Sequence, residues 1–234
     1  MRAMTAATTE LEWVNLFDDV ATSVTRHSCA RILAAYMSDF LTRPLAELGR
    51  TGAVCPFVRT SLKKKTVWVT FLDGDDRTLT DETIHAAIDD AATLFTELRR
   101  QSPDEATHTM IVAMPGLTEF QRIDDIHFLR KSEFVARGQM LGQFYPGCTQ
   151  EGLWNREFRP LDAPVPMLII RRMMSTDYPF LASDTKWLYA YFSRFAPELP
   201  VRLRSSLADK MVVTGEVAGA FAALRMHNED EHAR

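Results

Sequence analysis

Thr109-Met110-Ile111-Val112-Ala113-Met114, closed by Pro115-Gly116, carries no charge and no polar alternation after its first residue. A short continuous apolar run ended by a turn signal is the pattern of a strand buried on both faces. Two further runs belong with it. Upstream, Val67-Trp68-Val69-Thr70-Phe71-Leu72 is rich in β-branched and aromatic residues, which suit a pleated surface. Downstream, Pro164-Val165-Pro166 introduces Met167-Leu168-Ile169-Ile170, which runs straight into Arg171-Arg172. Helical periods fill the gaps. Thr80 caps a helix with Asp81 and Glu82 at the positive end of its dipole, and Ile84, Ala87, Ile88, Ala91, Leu94, Phe95 and Leu98 form its apolar stripe. Residues Asp124 to Arg137 read as a second helix through Ile126, Leu129 and Phe134, with His127 among them. Gln139 to Tyr145 fits either the tail of that helix or a strand.

Further out the pattern is more mixed. Leu11, Val14, Phe17, Val20 and Val24 recur near helical spacing after Thr8 and Thr9, and Ile32, Leu33, Tyr36, Met37 and Phe40 do so again before Pro44. Gly49-Arg50-Thr51-Gly52-Ala53-Val54-Cys55-Pro56-Phe57-Val58 then leads to Lys63-Lys64-Lys65. Pro56 lacks a backbone donor and has a fixed φ, so it suits a sheet edge, a bulge or the first residue of a strand. With the lysines as the turn, this stretch and Val67–Leu72 look like a hairpin. Pro146 to Phe158 is a long loop. Ser183-Asp184 starts a helix using Trp187, Leu188, Tyr191 and Phe192, another is expected from Ala208 to Met226, and the tail from Asn228 is charged and loose. The order implies a single-domain α/β (or α+β) protein: a mixed central sheet containing residues 67–72, 109–114 and 167–171, flanked by helices. Residues 1–44 form N-terminal helices and 183–234 the C-terminal helices and tail.

Composition narrows the function classes. The chain has 234 residues, 46% hydrophobic and 25% charged, as in a globular protein with a sizeable core. A net charge of -4 argues against a general nucleic-acid binder. No apolar run reaches the roughly 18 residues that suggest a membrane span, and no signal peptide is apparent, so the cytoplasm is the expected compartment. Cys29, Cys55 and Cys148 form neither a metal spacing nor an even disulfide set. The sequence contains no Walker A loop, dinucleotide glycine fingerprint, His-Glu-x-x-His or Gly-x-Ser-x-Gly. A small-molecule substrate, carboxylate-bearing, is the expected partner, and a homo-oligomer stays open.

Three blocks carry a resemblance: Gly49 to Val58, Gly138-Gln139-Met140-Leu141-Gly142-Gln143-Phe144-Tyr145-Pro146, and Pro164 to Met173. They resemble a bacterial and fungal family of unknown function found among natural-product biosynthesis genes, and the likeness covers residues 45–182. In block order the chain is also distantly similar to the YqcI/YcgG proteins, which include a heme-dependent enzyme that hydroxylates a guanidino nitrogen. That resemblance implies a heme-dependent oxygenase, or a related redox enzyme, acting on a small nitrogen-containing, amino-acid-like metabolite.

Cys55 as axial thiolate, His127 as imidazole ligand oriented by Asp124 or Asp125, and Tyr145 as phenolate are the candidate iron ligands. Each has a plainer alternative: a buried inert thiol, a helix residue near a cap, and a packed ring with a satisfied hydroxyl. Arg171 and Arg172 end a buried strand and need an anionic partner. Heme propionates or a substrate carboxylate would suit their guanidinium forks, with Arg59, Arg156 and Arg159 assisting. A salt bridge to Asp162 or Asp177 serves equally well. Gathering of Cys55, His127, Tyr145 and Arg172 in one pocket is the simplest reason for the unusual residues of the three blocks. Two other classes remain: a non-heme metal or cofactor-free enzyme built on His127 with Asp124 or Asp125, and a small-molecule or partner-binding module without catalysis.

Overall fold

The computed structural model describes residues 11–18, 27–102 and 107–213. A five-stranded mixed sheet forms the centre: β1 (Val14–Asn15), β2 (Val67–Phe71), β3 (Thr109–Ala113), β4 (Gln139–Phe144) and β5 (Met167–Arg172). Their spatial order is β1-β2-β3-β5-β4. β2 and β3 are parallel, with Val69 beside Ile111. β5 runs antiparallel to both of its neighbours, placing Ile169 between Ile111 and Gly142. β2, β3 and β4 therefore point the same way, and their carboxyl ends lie on one edge of the fold. The mixed α/β architecture expected from the three apolar runs is the one observed.

Strand alternation assigns the core to two sides. Met110, Val112, Leu168, Ile170 and Leu141 face α3 (Asp81–Gln101) and α4 (Gln121–Ala136) across a core that includes Ile84, Ile88, Phe95, Ile123 and Phe134. The two helices that precede them in sequence are α1 (Ala30–Ala35) and α2 (Val58–Lys63). Val67, Val69, Ile111, Ala113, Met167 and Ile169 face Leu33, Tyr36, Met37, Leu41 and Val58 on the other side. Helices thus cover both faces, and β3 is buried on both, as its unbroken apolar run requires. Thr80 caps α3, accepting from the Thr83 amide at 3.3 Å. α1 continues into a π-helical stretch, Tyr36–Leu41.

The hairpin expected around Lys63 to Lys65 is absent. Val58 to Lys63 is a helix, its buried Val58 and Ser61 one turn apart. Pro56 lies in the turn before it rather than in a strand. The stretch from Gly49 to Phe57 folds back on the π-helix: the Cys55 amide donates to Leu41 and the Val54 amide to Arg43. Arg50 caps this loop by donating to the carbonyls of Ala53 and Val54. The helix expected through Val14 is corrected too. Val14 and Asn15 pair antiparallel with Val69 and Trp68 as an edge strand. The rest of that expected helix, before residue 11 and over 19–26, lies outside the described residues.

Beyond the sheet, α5 (Tyr178–Leu181), α6 (Thr185–Phe195) and α7 (Val201–Met211) follow β5. Asp184 caps α6 as its position suggested, accepting from Lys186 and Trp187. The last described helix runs from Val201, after Pro200 at its N-cap, to Met211, and residues 214–226 of the helix expected up to Met226 lie outside the described residues. The charged tail from Asn228 lies outside the described residues.

Candidate functional site

A cleft of about 470 Å³ opens beside the carboxyl end of β4, where Asp162 bridges Tyr145. Open α/β sheets commonly present ligands at that edge. One wall is the π-helix, which stacks Tyr36 on Phe40 (ring centroids 5.4 Å apart). Phe40 in turn lies against Phe158 at 6.4 Å. The opposite wall is the loop after β4. Asn155 pins it to the short turn after the π-helix, Ala46–Leu48, by donating to the Glu47 carbonyl at 2.7 Å. Gly49, with φ of +75°, lets the two segments touch: a Cβ there would stand 2.7 Å from the Trp154 carbonyl oxygen. Glu47, Glu157 and Asp162 put three carboxylates on the lining. Arg159 is the single cation among them, and its guanidinium is turned onto the carbonyls of Arg156 and Phe158.

Below the cleft, the Tyr36 hydroxyl is buried and has no hydrogen-bond partner. Burial, and then the charges of Asp162, Cys55 and Cys148, push its phenol well above its usual range. Tyr36 therefore stays a neutral phenol. A buried hydroxyl without a partner is costly, and such exceptions concentrate where a ligand or water completes the bond. Asp162 is fixed by the Gly147 amide, which donates to it at 2.8 Å.

The residues singled out from sequence do not share one pocket. Cys55 packs, half-buried, on the α1 side of the sheet. His127 lies on α4, across the sheet, with Nε2 3.1 Å from the Leu141 carbonyl oxygen. That contact assigns the proton to Nε2, and burial, aided by the nearby Lys131 charge, lowers the imidazole to about 4. Tyr145 stacks on Phe120 at 5.1 Å and donates to Asp124 at 2.7 Å. Burial and its hydrogen bonds to Asp124 and Cys148 push the phenol up, so it remains neutral. Arg171 and Arg172 separate because adjacent strand residues face opposite sides. Arg171 makes a bidentate pair with buried Asp177, 2.7 Å on each arm. Burial opposes its charge, yet the Asp177 bonds and charge, with a smaller contribution from Cys55, hold its pKa above the ordinary value. Arg172 turns to the α3 side. Arg59 donates to the Thr42 carbonyl and Arg156 to Glu151, so neither joins an anion site with Arg171.

Comparison with known families gives one match. A domain of unknown function, DUF6875, covers residues 30–206, more than half of the chain. The chain belongs to the DUF6875 family. Among curated proteins and among solved structures nothing matches. The match shows a family of unknown function, as the three blocks suggested at that level, and all three blocks fall within the matched span. Nothing in the comparisons ties this DUF6875 chain to YqcI/YcgG proteins or to natural-product genes.

The DUF6875 cleft does not suit a heme. Two propionates would meet three carboxylates, and the lining includes no histidine, cysteine or tyrosine to bind iron. The non-heme alternative also fails on geometry: His127 Nε2 serves Leu141, Asp124 serves Tyr145, and Asp125 accepts from Gln121 at 2.9 Å. Among the described residues no group of three His, Cys, Asp or Glu is placed to hold a metal. The residues lining the DUF6875 cleft that the sequence did not flag are Phe40, Glu47, Glu157 and Phe158, with Tyr36 buried beneath them. The proximity of Gly49 to the loop after β4 arises from the fold, and no spacing in the sequence announces it.

Proposed function

We propose that the cleft binds a small cationic, nitrogen-containing metabolite: an amine or a guanidine. The observation that carries this is the imbalance of its lining, three carboxylates against one guanidinium already committed to carbonyls. Phe40 and Phe158 offer stacked ring faces, which favour a delocalised cation. Asp162, on the lining, accepts from the ligand's N–H. A volume of about 470 Å³ is within the size range of small-molecule sites. The nitrogen-containing substrate implied by the resemblance agrees with this lining. The heme-dependent oxygenation and the carboxylate-binding arginines implied with it find less support, because the arginine nearest the cleft faces backbone.

Isothermal titration with agmatine, arginine and glutarate tests the reading. Agmatine is expected to bind, arginine more weakly through its added carboxylate, and glutarate not at all. Glu47→Gln with Glu157→Gln, both exposed, should weaken agmatine about ten-fold without changing the fold. Glutarate binding as well as agmatine, or an unchanged affinity in the double variant, would sink the proposal. A parallel hemin titration is expected to give no Soret shift that depends on Cys55.

A further inference from the structure

Three guanidinium groups from distant parts of the chain come within electrostatic reach of one another at the other end of the sheet. Arg99 comes from the last turn of α3, Arg172 from the last position of β5, and Arg194 from the last turn of α6. Gln139 is the direct register partner of Arg172, so both side chains leave the same face of the sheet. Gly138, beside Gln139, has φ of +69°, and a Cβ there would stand 2.6 Å from Arg194 Nη1. Two aromatic rings steady the cations: Arg99 lies 5.8 Å over Phe95 and Arg194 5.6 Å over Phe195. All three arginines are half-buried, and none forms an ion pair with a carboxylate among the described residues. The contrast with Arg171 is plain, since that neighbour has its own carboxylate.

Clustered like charges repel, and partial burial weakens the water that would screen them. Burial and the Arg172 charge lower Arg99, and burial with the charges of Arg172 and Arg99 lowers Arg194. The arrangement also leaves two buried polar atoms without partners, the donor Arg194 Nε and the acceptor Gln139 Oε1. Gln139 itself is only 4% exposed. Three unneutralised guanidinium groups and the unmade Arg194 Nε hydrogen bond at one spot call for an anionic acceptor, while Gln139 can serve it only through its amide N–H.

We propose that Arg99, Arg172, Arg194 and Gln139 form a binding site for a phosphate-bearing ligand. Phosphate supplies several acceptor oxygens in the geometry that guanidinium forks match, and its double charge offsets most of the cluster. The Gln139 amide adds one more donor. β4 spans about 20 Å at roughly 3.3 Å per residue, so this site and the cleft at its far end do not share a ligand contact. The two can be tested separately.

The test uses the full chain with inorganic pyrophosphate, inorganic phosphate and succinate, each at ionic strength matched by sodium chloride. Pyrophosphate should raise the melting temperature and bind at least ten-fold more tightly than succinate. Arg172→Gln and Arg194→Gln should each weaken pyrophosphate about ten-fold or more, while the ligand-free variants melt at the same or a higher temperature because a repulsion has gone. Arg99→Gln, on the outer end of its helix, provides a third variant should either of these fail to fold. Arg59→Gln, outside the cluster, should leave binding unchanged. No pyrophosphate effect beyond matched sodium chloride, equal binding of succinate, or unchanged affinity in the folded cluster variants would overturn the site.

Discussion

At the scale of single residues, partners decide what the ionisable groups do. Arg171 and Arg172 are adjacent and chemically identical, yet one is neutralised by Asp177 and the other faces two further arginines. The sequence marked both as needing an anion, and it named Asp177 as one option for the pair. It gave no sign of Arg99 or Arg194, which arrive from helices far away along the chain. His127 shows the same dependence. Its imidazole sits at about 4 in the folded chain against 6.5 when exposed, because burial and Lys131 disfavour the cation. The unfolded chain therefore takes up a proton below pH 6.5 that the folded chain refuses. Neutral His127 contributes its stability above pH 6.5, and this is lost progressively as pH falls through about 4. The full effect is about 3 kcal/mol from a shift of this size. His127→Gln keeps a donor for Leu141 and removes the titration. Denaturant unfolding at pH 7.5, 5.5 and 4.5 should show the wild type losing more stability than the variant across that range. Equal losses would mean that His127 does not titrate in this way.

Elements were legible where one period controlled a long enough window. α3 has an uninterrupted stripe and a capped start, and β3 is apolar throughout, so both were placed close to their observed bounds. α2 was misread because six residues hold less than two turns, and the glycines and proline before it resemble strand punctuation. The loops after β2 and β3 show another limit of local pattern. Asp76 accepts from the Thr118 and Glu119 amides, at 2.9 Å each, and so ties one loop to the start of the other's helix. Gly116 permits this crossing: a Cβ there would stand 2.1 Å from the Gly74 carbonyl oxygen. Backbone cannot swing aside as a side-chain tip can. Gly116→Ala should cost about 3 kcal/mol, at the upper end for overpacking. The same change at Gly147, where an added Cβ meets nothing within 4 Å but φ is +74°, should show only the smaller strain of a left-handed residue. Thermal unfolding of the two variants would check the ordering, and Gly147→Ala proving the more damaging would contradict it.

For the molecule as a whole, the sheet separates two chemistries, an acidic cleft at one end and an arginine cluster at the other. Neither was readable as a site, since each is assembled from residues that only the topology brings together. Tyr36 and Phe40 read as core positions, and Glu47 and Phe158 as loop residues. The family match begins at residue 30, so β1 lies outside it. That edge strand still closes the fold. Leu16 is fully buried, its amide donates to Val67, and Asn15 donates to the Lys65 carbonyl. Trp13 adds a hydrogen bond to Asp90 on α3 at 2.6 Å. Removing residues 1–18 would uncover Val67 and Val69 and leave the outer edge of β2 unpaired, a template for pairing with another chain. Loss of Leu16 alone forfeits about 2–3 kcal/mol of burial. The shortened chain should melt lower and form soluble aggregates on size-exclusion chromatography with light scattering. Leu16→Ala in the full-length chain should reproduce the lower melting temperature without the aggregation, because β1 still covers the edge. Should the shortened chain elute like the full-length protein with an unchanged melting temperature, β1 contributes neither packing nor edge protection.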